Sequence, residues 1–168
     1  MLSNFLSYLN ASRPEDFWLA TSHPSSFSSF KEMPPGTVFP LCLYGEARGL
    51  GLLGMLLVGC VVRNRVLRFA NPSLSTYKDV CLKKKQFSCF NSDDRNYHSL
   101  LNPMEYQAWR LANQAAYDIV TEHRCPDLTN GATQYYSTPP NNPSWTPYWT
   151  PGFERTVTLE NLVFMKER

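Results

Sequence analysis

The stretch from Leu50 to Val62 constrains the fold more than any other part of the sequence, because apolar residues occupy every face of the helix that it would form. A helix that is apolar on all sides has to be surrounded by the rest of the protein. The stretch is too short to span a bilayer, and the helical pattern begins earlier, at Pro40. We therefore predict the buried central helix of a globular domain and no stable insertion into a membrane.

Length and charge limit the class of protein further. A chain of 168 residues can bury the core of one domain. Its hydrophobic fraction of 43% and charged fraction of 18% are typical of a globular protein. A net charge of +2 gives little electrostatic reason to expect nucleic acid as a partner. The sequence does not indicate an oligomeric state.

A second helix is indicated after Asn102, which can cap it, while Pro103 suits the first helical position and Glu105 can close a capping box. Apolar residues then recur at helical spacing. The resulting core stripe consists of Met104, Ala108, Leu111, Ala112, Ala115, Ile119 and Val120.

The two ends of the chain complete the predicted organisation. Residues 1–33 have an irregular pattern with a Ser-rich stretch, "SHPSSFSSF", and we predict an N-terminal extension packed loosely on a domain formed by residues 34–168. The segment "TVTLENLVFMK" predicts two short strands around Glu160 and Asn161. Helices come first and a small antiparallel sheet comes last, so the predicted fold class is α+β.

Five cysteines without paired CxxC spacing argue against a disulfide framework and against a structural zinc site. We expect buried thiols, with Cys42 and Cys60 acting as small apolar core residues. No metal and no cofactor are predicted. Because no positive residue precedes the first apolar stretch, a secretory signal is not predicted either, and we expect synthesis in the cytoplasm.

Glu46 is the one carboxylate at the mouth of the apolar run. We expect it near the start of the buried helix, where desolvation favours the proton-bearing form that a general acid needs. The positive end of the helix dipole would oppose this effect. A structural role is equally consistent with this segment: Glu46 caps the helix or pairs with Arg48. From this segment alone, both interpretations stay open.

Five short segments occur in a characteristic order: "YGEARG", "VVRNRV", "QFSCFN", "GATQYY" and "LVFMK". Together they resemble the cell wall hydrolase family of the spore cortex-lytic enzymes, over roughly residues 40–166. Related domains occur in bacterial spore-germination and cell-wall enzymes and in bacteriophages. The resemblance implies a lysozyme-like or lytic-transglycosylase-like single domain that acts on the bacterial cell wall, with peptidoglycan glycan strands as its substrate.

The resemblance also implies site residues. Glu46 matches the catalytic acid of the family's "YGEARGE" motif. Two further segments match the substrate groove and the strand that faces it, and their predicted substrate-binding residues are Gln86, Ser88, Asn91, Thr133, Tyr135 and Tyr136. Aromatic rings that could stack on sugar faces continue through Trp145, Tyr148 and Trp149. The chain departs from the family pattern at Leu50, Gln134, Leu162 and Met165.

The reaction implied is cleavage between N-acetylmuramic acid and N-acetylglucosamine. In the lytic transglycosylase form Glu46 acts as acid and then as base, and leaves a 1,6-anhydro end. A muramidase would usually need a second carboxylate. Asp93 and Asp94 are the candidates near a motif, but "NSDDRNY" is more typical of an exposed turn.

Two other classes of protein remain open at this point. A cysteine amidase would use Cys89 as nucleophile with His98 or His123 as base. A non-catalytic phage component would bind peptidoglycan without turnover, although binding alone does not require a poorly solvated acid such as Glu46.

Overall fold

The computed structural model describes residues 24–70, 72–103, 106–121 and 124–168. Within these ranges, α-helices are followed by a three-stranded antiparallel sheet, which confirms the α+β class. The helices are α1 Pro35–Ala47, α2 Gly51–Val66, α3 Leu74–Leu82, α4 Tyr97–Leu101 and α5 Tyr106–Val120. The strands are β1 Gln134–Ser137, β2 Phe153–Leu159 and β3 Leu162–Glu167. The predicted capping residue Glu105 and the core residue Met104 lie outside the described residues.

The predicted central helix is α2, which packs against α1, α3 and α5. A glycine permits the tightest of these contacts, since a Cβ on Gly59 would lie 2.7 Å from Cγ1 of Ile119. The apolar region is two helices and not one, because a short 3-10 turn, Arg48–Leu50, ends in Gly51 with a φ of 64°. Such a positive φ strongly favours glycine. Helical structure also starts earlier than the predicted Pro40, at Pro35.

Taken together, Pro35–Val66 is long and apolar enough to cross a membrane by length and composition, with a mean hydropathy of 1.5 in its most apolar window. In the fold, 56% of its most apolar window is buried inside the protein. Core helices of globular proteins have the same properties, and the break at Gly51 divides the stretch. More than half of this apolar window is therefore used for packing within the domain.

The sheet has strand order β1-β3-β2, and its two faces belong to different hydrophobic clusters. Tyr135 pairs with Phe164 and Tyr136 pairs with Val163 across β1 and β3. Side chains alternate along a strand. The face with Tyr135 and Phe164 packs on the main core, whereas the face with Tyr136 and Val163 is covered by Trp149 in a separate small cluster.

Both predicted ends of the domain are visible. β2 and β3 form the expected hairpin, whose turn contains Glu160 with a φ of 50°. At the other end, Phe30 and Met33 are buried in the main core, so residues 24–33 pack more tightly than the sequence predicted. Residues 1–23 of the predicted extension lie outside the described residues, and the domain boundary stays a prediction. The cysteines Cys42, Cys60, Cys81, Cys89 and Cys125 are free and buried, as predicted.

Candidate active site

Glu46 lies in the last turn of α1, and the prediction that it opens the buried helix is wrong. The helix end beside it is the carbonyl end of α1, because the break at Gly51 separates it from α2. Its half-buried carboxylate accepts two hydrogen bonds. The backbone N–H of Cys89 donates to Oε1 at 3.2 Å, and the hydroxyl of Tyr135 donates to Oε2 at 2.6 Å. Both oxygens are thus held in a defined orientation.

The backbone donor reaches Glu46 because α1 and the 3-10 turn Ser88–Phe90 approach each other closely. A Cβ on Gly45 would lie 2.7 Å from Cβ and 2.9 Å from Sγ of Cys89. Real Cβ atoms essentially never lie within 3.0 Å of such atoms, so a side chain at this position would force its neighbours to shift. A glycine beside Glu46 is therefore what allows the N–H of Cys89 to reach the carboxylate.

The tyrosine donor is fixed by ring packing. The Tyr135 ring lies 5.6 Å from the ring of Phe164 and 6.4 Å from that of Phe87, measured between centroids. Burial, and after it the charge of Glu46, raise the pKa of the Tyr135 hydroxyl well above its usual value. Tyr135 consequently keeps its proton and acts as a donor at neutral pH.

Three consecutive polar residues at the end of α2 tie it to the segment that leads into β1. Arg63 donates to the carbonyl of Cys125 at 2.6 Å, and Asn64 donates to the carbonyl of Ala132 at 2.9 Å. Arg65 makes three contacts with neutral acceptors, which are the carbonyl of Thr133 at 2.6 Å and the side-chain oxygens of Gln86 at 2.9 Å and Gln134 at 3.0 Å.

Sequence reasoning assigned no role to this triplet, although a signal was present. Polar side chains on an otherwise apolar, buried helix need internal partners.

The segment before β1 is also organised from within. Asp127 accepts hydrogen bonds from the N–H and hydroxyl of Thr129, from the N–H of Gly131 and from Asn64. Partial burial raises the pKa of the Asp127 carboxyl, but these hydrogen bonds outweigh it and the pKa is lowered. Asp127 is thus an ionised anchor for the loop that positions Tyr135.

The structure brings some predicted binding residues together and separates others. Gln86 and Thr133 meet at Arg65, and Ser88 is exposed at the start of the 3-10 turn whose Cys89 contacts Glu46. Asn91 is exposed at the end of the same turn. Tyr136 points to the opposite sheet face from Tyr135, where its ring packs 5.9 Å from each of the rings of Trp145 and Trp149. Tyr148 is 96% exposed.

Residues 49–165 match the sequence model of a family described as Cell Wall Hydrolase. The chain belongs to the cell wall hydrolase family. The matched region begins just after Glu46, so the role of Glu46 is argued from motif resemblance and from geometry.

The crystal structure of the catalytic domain of the Bacillus cereus SleB protein is similar in fold, with a TM-score of 0.53 and 21% sequence identity. The alignment covers 79% of this chain and 89% of the SleB domain. A comparison with curated proteins finds no match.

The geometry of this cell wall hydrolase argues against a cysteine nucleophile. Cys89 is buried. A hydrogen bond with Cys42 lowers the pKa of its thiol, but burial and the neighbouring Glu46 carboxylate raise it to about 11 overall. The thiolate is the reactive form of cysteine, and little of it exists at neutral pH. His98 is exposed on α4, and His123 lies outside the described residues.

Arg48 and Asp94, which could have paired with Glu46 or assisted it in catalysis, are engaged with other groups. The Arg48 guanidinium donates to Oδ1 of Asn96 at 2.9 Å and lies over the ring of Tyr44. Asp94 accepts from the N–H of Asn96 at 2.8 Å. "NSDDRNY" therefore forms a turn, as predicted, and the Asp94 carboxylate stabilises that turn.

The departures from the family pattern fall at packing or binding positions of the domain. Gln134 accepts a hydrogen bond from Arg65, and Leu162 is buried in the main core. Met165 belongs to the cluster on the far sheet face. Leu50 packs against Gly54, whose Cβ, if present, would lie 2.4 Å from that of Leu50.

Proposed function

We propose that this cell wall hydrolase cleaves the glycan of peptidoglycan between N-acetylmuramic acid and N-acetylglucosamine, as a lytic transglycosylase. Family membership supports the degradation of peptidoglycan. One observation carries the catalytic assignment: the Glu46 carboxylate is oriented through both of its oxygens by Cys89 and Tyr135. A carboxyl group that is positioned in this way can deliver its proton along one direction.

In the first step Glu46 protonates the bridging glycosidic oxygen while positive charge develops on the ring of the muramyl residue. Each carboxyl oxygen has two lone-pair positions. The two donors occupy one position on each oxygen, so a free position remains for the transferable proton. Once the proton has left, the hydrogen bonds from Tyr135 and Cys89 stabilise the carboxylate that forms.

In the second step the same carboxylate removes the proton from the C6 hydroxyl of the muramyl residue. That oxygen closes on the anomeric carbon and forms the 1,6-anhydro ring. The hydroxyl is held by the sugar itself and so has a high effective concentration. Hydrolysis would instead require a second carboxylate at about 5 to 9.5 Å, and Asp94 is already engaged in its own turn.

Substrate contacts follow from exposure. Ser88 begins the 3-10 turn that contacts Glu46, and Asn91 follows its end. Both side chains are exposed and can form hydrogen bonds with sugar hydroxyl and acetamido groups. Trp145 and Tyr148 present exposed rings, which suit stacking on sugar faces. We assign them to a more distant part of the glycan strand, because Trp145 packs on Tyr136 at the sheet face opposite Tyr135 and Tyr148 is three residues after Trp145. The site of action in this proposal is the bacterial cell wall, which the chain reaches after synthesis in the cytoplasm.

Glu46→Gln tests the proposal. It keeps the shape of the side chain and removes the transferable proton, so release of soluble fragments from purified peptidoglycan should fall by roughly two to four orders of magnitude. Asp93→Asn and Asp94→Asn are the matched controls and should remain active.

Mass spectrometry of the wild-type digest should show anhydro ends, which are lighter by one water than reducing ends. Mainly reducing muramic acid ends would refute the transglycosylase mechanism. Full activity of Glu46→Gln would refute the role of Glu46, and a wild type that binds peptidoglycan but releases nothing would support a non-catalytic binding protein.

A further inference from the structure

A cavity of about 370 Å³ opens at the carboxyl end of α2 and is lined by basic and neutral polar side chains and by two apolar ones, Phe69 and Val80. The basic ones are Arg65, Arg68 and Lys83, and the neutral polar ones are Gln86, Thr133 and Gln134. None of the described residues that line it is acidic. A concave surface with several positive charges and converging polar groups is the kind of site that binds an anion.

The donors in this cavity have capacity left for a ligand. The Arg65 guanidinium has five N–H groups; three bond the carbonyl of Thr133 and the side chains of Gln86 and Gln134, all of which are neutral. Burial lowers the pKa of Arg65, but a guanidinium stays charged in proteins. A positive charge that is largely buried among neutral acceptors is stabilised by a counter-anion.

The other two cations differ in their neighbours. Lys83 is exposed at the cavity rim, and its ammonium has no partner among the described residues. Arg68 is paired with Glu167 at 3.0 Å, and both side chains are about half exposed. The Thr133 hydroxyl is buried and, within the described part of the chain, has no hydrogen-bond partner. Because, of the three lining cations, only Arg68 is paired with a carboxylate of a described residue, the cavity keeps a net positive charge.

The cavity lies on the two segments that also hold Glu46. Gln86 is three residues before Cys89, and Thr133 is two residues before Tyr135. At about 3.3 Å per residue along a strand, Thr133 and Tyr135 are separated by roughly 7 Å. An anionic substituent of a glycan that reaches Glu46 can thus extend into the cavity.

We propose that this cavity is a carboxylate-binding subsite that takes the carboxylate of a muramyl substituent. This proposal rests on the proposed function, and it states which chemical group of the substrate the groove selects. In peptidoglycan the N-acetylglucosamine residues are neutral, whereas the lactyl group of muramic acid is joined by an amide bond to a peptide, and the free carboxylates of that peptide make the muramyl substituent anionic. The subsite therefore distinguishes the two sugars by charge and sets which glycosidic bond lies over Glu46.

Binding to sacculi tests the subsite without turnover. The Glu46→Gln chain is mixed with sacculi freed of teichoic acid, either native or with their carboxyl groups amidated by a carbodiimide and a neutral amine. Sedimentation gives the dissociation constant for each. Amidation should weaken binding by about tenfold, because charge-assisted hydrogen bonds are lost.

Three substitutions on the Glu46→Gln background separate a local subsite from general attraction. Lys83→Gln should weaken binding to native sacculi by about threefold to tenfold and reduce the effect of amidation. Lys84→Gln changes the net charge equally at an exposed neighbour that does not line the cavity, and should keep the full effect of amidation. Glu167→Gln frees Arg68 and should tighten binding to native sacculi.

Equal binding of native and amidated sacculi would overturn the proposal, and so would equal losses for Lys83→Gln and Lys84→Gln. A reversed or absent effect of Glu167→Gln would remove Arg68 from the subsite and contradict the proposal in this form. The catalytic proposal is judged separately: a wild type that releases no fragments refutes that function, while the binding comparison with the inactive chain still decides the subsite.

Discussion

Tyr135→Phe removes the hydroxyl that donates to Glu46 and leaves the ring in place. The O–H···O distance of 2.6 Å is that of a charge-assisted hydrogen bond, which is worth about 1.5 to 3 kcal/mol. Each 1.4 kcal/mol or so corresponds to a factor of ten in rate. If the bond is strongest after proton transfer, when Glu46 is fully charged, kcat should fall by roughly 10-fold to 150-fold.

The assay is the initial rate of fragment release from purified peptidoglycan at saturating substrate, which reports kcat. Melting curves should show a retained fold, because the ring contacts with Phe87 and Phe164 remain.

Tyr136→Phe is the matched comparison, since it loses a hydroxyl from the next residue of the same strand, on the opposite face. It should keep the wild-type kcat. A Tyr135→Phe enzyme with the wild-type kcat would refute the reasoning, and Tyr135 would then be a packing residue.

Three further predictions concern the supports of the site. Gly45→Ala places a Cβ 2.7 Å from that of Cys89, so we expect a loss of about 1 to 3 kcal/mol in urea unfolding together with slower turnover; unchanged stability would show that the contact can relax. Cys89→Ser should stay active, and the wild type should resist alkylating reagents, because the thiol is buried and serine keeps the backbone N–H that donates to Glu46; inactivation with an intact fold would favour an amidase. Since the pKa of Asp127 is lower in the folded protein than in the unfolded chain, its contribution to stability is complete above the unfolded value of about 3.9 and is lost as the pH falls through the folded value; the difference in Tm between wild type and Asp127→Asn should shrink in that window, and a constant difference would contradict it.

Local patterns predicted the elements that depend on local physics. The apolar run gave the central helix α2, helical spacing gave α5 with buried Ala112 and Ile119, and alternation with a turn gave the hairpin of β2 and β3. The predicted position of Glu46 at the start of the buried helix was wrong, because hydrophobic periodicity does not reveal a break between two helices. That break depends on the positive φ of Gly51, which residue types alone did not reveal.

The partners of Glu46 depend on tertiary structure. Tyr135 is 89 residues away along the chain, and no periodicity joins the two. One part could have been predicted from the strand period, because adjacent residues of a strand face opposite sides. Tyr135 and Tyr136 were both assigned to the groove from the resemblance, yet β1 can direct only one of them toward Glu46.

The polar residues at the two ends of the apolar region are connected through the site. Glu46 lies before α2 and Arg65 lies in its last turn. The Arg65 guanidinium bonds Gln86 and Thr133 together, and each of these stands two or three residues before a donor to Glu46. A slip of β1 by one residue would exchange its two faces and replace the tyrosine hydroxyl at Glu46 by a side chain from the wrong side. Because one cation bonds both donor segments, the end of α2 that is farthest in sequence from Glu46 contributes, together with ring packing and the close approach at Gly45, to the orientation of that carboxylate.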